Sequence, residues 1–123
     1  MAESRRALVI DDNDTNRVLA RALLVKLGWQ VAEAADGTAG LAMAADGGYP
    51  LILLDISMPG MSGLDTCRAL RARAAGTGQR IIAYTAHAFP EERDEILAAG
   101  FDDIIVKPVN VQTMATAIQK FFP

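Results

Sequence analysis

Leu51-Ile52-Leu53-Leu54-Asp55-Ile56-Ser57-Met58-Pro59-Gly60 is the stretch on which the fold turns. Its four leading apolar residues are continuous rather than alternating, which suggests a strand covered on both faces, as in a parallel sheet. The run stops at a carboxylate, and Pro59-Gly60 then supplies turn chemistry. Working outward, the same pattern recurs at Ala7–Ile10, Ile81–Tyr84 and Ile104–Val106, with a weaker run at Trp29 to Ala32.

Helix-like stretches separate these runs. Asp14 to Leu27 carries Val18, Leu19, Ala22, Leu23 and Leu27 along one side, with Gly28 as its stop. Thr38 to Ala45 is rich in alanine and ends at Gly47-Gly48. Leu64, Cys67, Leu70 and Ala74 recur at helical spacing, with Gly76 beyond. Pro90 with Glu91 and Glu92 reads as a first helical turn, where proline loses no hydrogen bond and carboxylates suit the dipole; this helix ends near Ala99-Gly100. Asn110 caps a last helix whose Val111, Met114, Ile118 and Phe121 face the core. The order is strand then helix, five times over. Short right-handed crossovers make this an α/β, doubly wound, three-layer (βα)5 sandwich. Five units are too few for an eight-stranded barrel.

Bulk properties agree with one domain spanning residues 1–123. The chain is 51% apolar and 22% charged, enough to bury a core and stay soluble. No apolar run approaches the ~20 residues of a membrane span, and too few apolar residues follow Arg6 for a signal-peptide core. A cytoplasmic location is the expectation, and Cys67, the only cysteine, fits a reducing compartment as a small core residue. The net charge of −3 gives no reason to expect nucleic acid, and Arg68, Arg71 and Arg73 read as a solvated helix face. His87, the only histidine, reads as a loop residue, Met58 and Met61 as closing over the site or packing locally beside a turn, and Gly63 as serving a backbone turn at the start of the third helix.

Ligand chemistry in such a sheet lies outside the carboxyl ends of the strands. There the chain places Asp11 and Asp12 after the first strand, Asp55 at the third, Thr85 after the fourth and Lys107 after the fifth. Taken singly, each has a plainer reading. Asp11, Asp12 and Asp14 resemble turn and cap residues, Asp55 could serve the Pro59-Gly60 turn, Thr85 could be a satisfied hydroxyl, and Lys107 could be a surface lysine. Together they converge on one edge. A pair of like charges ~4 Å apart costs about 4 kcal/mol at an effective dielectric of 20, so a proton or a cation is expected among the carboxylates. Magnesium suits them, because it takes one or two carboxylates and leaves room for a phosphate. With an aspartate as nucleophile and a lysine and a hydroxyl for the phosphoryl oxygens, the parts suffice to transfer a phosphoryl group onto Asp55.

These residues bring the chain to a known pattern. Leu8-Val9-Ile10-Asp11-Asp12-Asn13, the Leu51–Gly60 stretch, Ile82-Ala83-Tyr84-Thr85-Ala86 and Val106-Lys107-Pro108 resemble, over essentially the whole length, a response-regulator receiver domain. Asn16-Arg17 and Thr85-Ala86-His87-Ala88 look closest to receivers of hybrid histidine kinases and phosphorelays. The resemblance implies a flavodoxin-like sheet of order 2-1-3-4-5. It implies that Asp55 accepts a phosphoryl group from the phosphohistidine of a histidine kinase or a histidine phosphotransfer protein. Magnesium, with manganese as an alternative, would be held by Asp12, Asp55 and the main-chain carbonyl of Ser57, with Asp11 acting through water. Thr85 would move toward the phosphoryl oxygens, and Lys107 would pair with the phosphoryl or with Asp55. The Lys107–Pro108 bond would be cis, and Ser57 and His87 would influence hydrolysis of the phosphate. A signalling module is implied, taking part in its own phosphorylation and dephosphorylation but no stand-alone enzyme. No direct contact with nucleic acid or membrane is expected. No DNA-binding extension follows Pro123, so output is expected through a partner or through an attached or separate domain.

Ile104 departs from the pattern, standing where many members carry a Tyr or Phe that swings inward when the threonine moves. Tyr84 is the substitute nearest to Thr85, and phosphorylation is expected to reshape the loop after Thr85 and the surface of the fourth helix with a smaller readout. Two other classes share parts of this reading. A flavodoxin-type cofactor carrier would want a phosphate cradle after the first strand, where Asp11, Asp12 and Asp14 would repel the phosphate. An aspartate-nucleophile phosphatase would place its nucleophile after the first strand and need a cap, for which the chain is too short.

Overall fold

Among the described residues ten elements alternate: β1 (Arg6–Ile10), α1 (Asp14–Lys26), β2 (Gln30–Ala34), α2 (Gly37–Ala45), β3 (Leu51–Asp55), α3 (Gly63–Arg73), β4 (Arg80–Thr85), α4 (Pro90–Ala98), β5 (Asp103–Val106) and α5 (Val111–Gln119). The computed structural model describes residues 5–45, 48–73, 78–86 and 89–123. Gly47, Ala74, Gly76 and His87, to which the sequence assigned helix ends, a helix position and a loop, lie outside them. All strand pairs are parallel, and the order is β2-β1-β3-β4-β5.

The continuous apolar runs are explained by two separate cores. Ala7, Val9, Leu51, Leu53, Ile82, Tyr84 and Ile105 face one side of the sheet, where Ala20 and Leu24 of α1 and Met114, Ala117 and Ile118 of α5 cover them. Leu8, Ile10, Ile52, Leu54, Ile81 and Ala83 face the other, against Cys67 and Leu70 of α3 and Ile96 of α4. Neighbouring residues of one strand thus point to opposite cores, and both must be apolar. Burying a side chain of Leu or Ile size stabilises by roughly 1.5–3 kcal/mol.

Helix starts follow the capping rules. Asn13 accepts a hydrogen bond from Asn16 N–H at 2.9 Å and Asn110 one from Thr113 N–H at 2.8 Å. Asp36 takes Ala39 N–H at 2.7 Å at the head of α2, and Ser62 takes Asp65 N–H at 3.1 Å at the head of α3.

Two expectations are corrected. The apolar side chosen for α1 is only partly right: Leu23 and Leu27 pack half-buried against the core as expected, but Val18 is 60% exposed, Leu19 and Ala22 are exposed too, and the fully buried residues are Ala20 and Leu24, which the sequence did not select. Two apolar rows run along this helix, and periodicity cannot say which one meets the sheet. The arginines of α3 are not a uniform solvated face. Arg68 is exposed and pairs with Asp65, whereas Arg71 is half-buried and donates to Gly100 O, Gln79 O and Asp102 Oδ2 at 2.8, 2.7 and 2.6 Å.

Candidate functional site

The strand order fixes where chemistry can be placed. Between β1 and β3 the crossovers leave toward opposite faces of the sheet, which opens a crevice at the carboxyl edge. Asp11, one residue past β1, and Asp55, the last residue of β3, both lie at that crevice, and both are buried, at 0% and 4% exposed. Asp12 is exposed beside them. One carboxylate oxygen from each of Asp11, Asp12 and Asp55 falls within a span of 4.8 Å.

Lys107 crosses from the end of β5. Its main-chain N–H donates to Thr85 O at 2.7 Å, which fastens the end of β5 to the end of β4. Its side chain is 15% exposed, and Nζ stands 3.3 Å from Asp11 Oδ2 and 3.3 Å from Asp55 Oδ1. One ammonium therefore bridges the two buried carboxylates. Asp11 Oδ1 accepts Asn13 N–H at 2.9 Å, and Asp55 Oδ1 also accepts Ser57 N–H at 3.3 Å, so neither carboxylate is free to rotate. The Lys107–Pro108 peptide is cis, as the resemblance implied. Thr85 is buried at the end of β4.

The electrostatics ask for one more cation. Burial, and secondarily the charge of Asp11, raises the Asp55 carboxyl from 3.8 to about 6, even with Lys107 and Ser57 N–H pulling it down. Three carboxylates and one ammonium leave the cluster a formal charge of −2. Clustered hard oxygen donors with that residual charge fit a divalent cation such as magnesium.

Two further residues shape this edge: Arg17, which the sequence showed only as part of a pattern, and Gly63, which it placed at the turn into the third helix. Arg17, one turn into α1, donates from Nη1 to the main-chain carbonyl of Asp11 at 2.7 Å, while Nε reaches Glu33 Oε1 at 3.1 Å and Nη2 pairs with Asp14. It clamps the loop that carries Asp11 and Asp12. The Asn16-Arg17 pair was visible as a pattern, but only folding brings Glu33 of β2 to it. Gly63 is the second. A Cβ there would strike Asp55 O and come within 2.6 Å of Ile56 Cα, backbone atoms that cannot swing aside. Gly63 N–H donates to Ile56 O at 3.0 Å, so the missing side chain lets α3 start directly beneath the Asp55 loop. Met58 is buried and packs into the α3 side of the core, which settles its role as packing.

Tyr84 does not fit the part of a mobile surface aromatic. It is 1% exposed within the core, and Lys107 Nζ lies 4.7 Å from its ring centroid. Burial, then the charges of Asp11 and Asp55, push its hydroxyl up to about 12. Ile104 is half-buried against the α3 and α4 side.

Comparison with known proteins supplies the family. Residues 7–119 match the family model described as the response regulator receiver domain. The aerobic respiration control sensor protein ArcB of Escherichia coli (strain K12) is 39% identical over 116 residues, covering 94% of this chain. The chain spans only 15% of that sensor's length. Chemotaxis protein CheY of Pseudomonas aeruginosa is 36% identical over 118 residues, with 95% of each chain covered. Among solved structures, the receiver domain of sensor histidine kinase PA1611 from Pseudomonas aeruginosa PAO1 superposes with a TM-score of 0.87 at 31% identity, covering 96% of this chain and 97% of that one. That structure carries a magnesium ion coordinated in its active-site cleft. Fold, acidic crevice and sequence agree, and the chain belongs to the response regulator receiver domains of two-component signalling.

Proposed function

We propose that Asp55 is the phosphoacceptor of this receiver and takes its phosphoryl group from a phosphohistidine in a magnesium-dependent reaction. The observation that carries this is the single Lys107 ammonium bridging Asp11 and Asp55 at 3.3 Å each, in a crevice that still bears excess negative charge. A carboxylate with its pKa near 6 is ionised at neutral pH yet more basic than an ordinary aspartate, which suits a nucleophile. An Asp55 oxygen forms the new bond to phosphorus as the bond from phosphorus to the histidine nitrogen breaks, and that nitrogen leaves with the electron pair and is protonated.

The other residues divide the remaining work. Asp12, Asp55 and the main-chain carbonyl of Ser57 would hold magnesium or manganese, with Asp11 acting through water. The metal would neutralise charge on the phosphoryl oxygens when bound. Lys107 releases Asp55 and pairs with a phosphoryl oxygen, and the Thr85 hydroxyl donates to another. The exposed position of Ser57 places it where it can influence attack by water. Donor and receiver partners are a histidine kinase or histidine phosphotransfer protein in the cytoplasm, and output passes to a partner or to a further domain. Residues 1–123 act as one receiver domain that contributes to its own phosphorylation and dephosphorylation. With Ile104 at the usual aromatic position, the response is carried by the segment after Thr85 and the surface of α4. Among the described residues no helix is long and apolar enough to cross a membrane.

Incubation with acetyl phosphate and magnesium, read by intact mass, tests the assignment. Wild type gains one phosphoryl group and Asp55→Asn gains none. A gain that persists in the variant sinks the assignment of Asp55, and no gain in either protein sinks the phosphoacceptor reading.

A further inference from the structure

Lys107 has two carboxylates to choose between and a long flexible stem, so something must hold its ammonium between them. Tyr84 stands directly below. In the sheet it is in register with Asp55 on β3 and with Ile105 on β5, two residues before the lysine. Its ring is locked in the core among the side chains that α1 and α5 cover, and its centroid lies 4.7 Å from Lys107 Nζ. The face of an aromatic ring carries negative potential and attracts an ammonium at this range, more strongly once water is excluded. With Asp11 and Asp55 on two sides, the ring closes a third.

We infer that the Tyr84 ring is a positioning residue for phosphoryl transfer, a cation–π seat that keeps the Lys107 ammonium between Asp11 and Asp55. The seat is attractive but has no hydrogen-bonding direction. Lys107 can exchange its bond to Asp55 for one to a phosphoryl oxygen without leaving the ring. A purely aliphatic side chain would fill the same space and offer no such hold, leaving the lysine to wander toward solvent or to stay with Asp11. The ring, and not the hydroxyl, does this, so phenylalanine is an adequate replacement.

This rests on the reading of Asp55 and Lys107 as phosphoacceptor and phosphoryl ligand. The test compares wild type, Tyr84→Phe and Tyr84→Leu, each with and without Lys107→Ala, phosphorylated by acetyl phosphate in magnesium. Tyr84→Leu should slow phosphorylation about tenfold and weaken binding of beryllofluoride by a similar factor, while Tyr84→Phe stays within about twofold of wild type. In the Lys107→Ala background, Tyr84→Leu should cause no further loss, because the partner it serves is gone. Proton NMR reads the seat without any reaction. The ε-methylene protons of Lys107 should be shifted upfield by the ring in wild type and Tyr84→Phe, and should return to ordinary values in Tyr84→Leu.

Met114→Ala, in the same core cluster, controls for lost stability and should leave the rate unchanged below its unfolding temperature. Tyr84→Met replaces the leucine variant if that one does not fold. Equal losses in the Phe and Leu variants, or an undiminished Leu effect in the Lys107→Ala background, would overturn the seat. Should wild type itself fail to take a phosphoryl group on Asp55, the reading of the site fails first. If wild type is phosphorylated and Tyr84→Leu matches it, only the seat fails.

Discussion

Asp55 holds its proton more tightly in the fold than it would in an unfolded chain, and this has a definite sign. A carboxyl raised from 3.8 to about 6 binds more protons in the native state between those two values. Its contribution to stability is therefore full below about pH 4 and is lost as pH rises through about 6, on the order of 2–3 kcal/mol for a shift of this size. The clean quantity is the difference between variant and wild type. In EDTA, Asp55→Asn should gain stability relative to wild type as pH rises from 4 to 7, measured by chemical denaturation at each pH. A flat difference would mean that burial and Asp11 do not burden Asp55. At this scale the sequence was informative wherever position alone sufficed: Asp11, Asp55, Thr85 and Lys107 follow directly from the rule about strand ends. It was silent wherever closeness in space decides. Arg17 meets Glu33 across 16 residues, and Lys107 meets the Tyr84 ring, only because the sheet is assembled.

Helices were legible in extent and less so in rotation. The reading of α1 found both ends within a residue, with Gly28 read as its stop, and the structure adds Asn13 as its cap. It found only part of the packed side, Leu23 and Leu27, and missed Ala20 and Leu24. Val18, Ala22 and Val25 form an apolar row as regular as Ala20, Leu24 and Leu27, and hydrophobic spacing alone rates them alike. Only the sheet breaks the tie, by taking Ala20 and Leu24 into the core. Substitution tells the rows apart. Val18→Lys should change stability by less than about 0.5 kcal/mol, because the side chain already faces water. Leu24→Ala should cost about 3 kcal/mol, because Leu24 is fully buried and its removal leaves a cavity. Urea unfolding of the two variants measures this. A large loss from Val18→Lys would return α1 to the rotation first read from the sequence.

Across the whole molecule the two edges of the sheet carry opposite charge and, in physical terms, opposite duties. The carboxyl edge gathers Asp11, Asp12 and Asp55 with Lys107 among them, an arrangement whose repulsion a divalent cation relieves. The amino edge gathers arginines. Arg71 reaches from the last turn of α3 to Gly100 O, Gln79 O and Asp102, and Asp102 also accepts Ile81 N–H at 2.9 Å. Arg5 lies 5.5 Å from the centroid of Trp29, Arg6 4.7 Å from that of Tyr49 and Arg80 4.9 Å from that of Phe121, which adds apolar cover to charge at the strand starts. The order of apolar runs told which end of each strand was which, but not that the arginines at the amino ends would converge, since Arg71 and Asp102 are 31 residues apart. This division predicts two separable phenotypes. Arg71→Ala should lower stability by about 1–3 kcal/mol by removing a half-buried ion pair with Asp102 and the side-chain donor to two carbonyls. It should nevertheless keep the full rise in melting temperature that magnesium gives wild type, because a ligand that binds only the native state stabilises by its own affinity. Asp12→Asn should do the reverse: it removes one repelling charge, starts at or above wild-type stability without metal, and loses most of the magnesium-dependent rise. Melting curves of the three proteins in EDTA and in a magnesium series decide it, and a magnesium response lost in Arg71→Ala but kept in Asp12→Asn would refute the division.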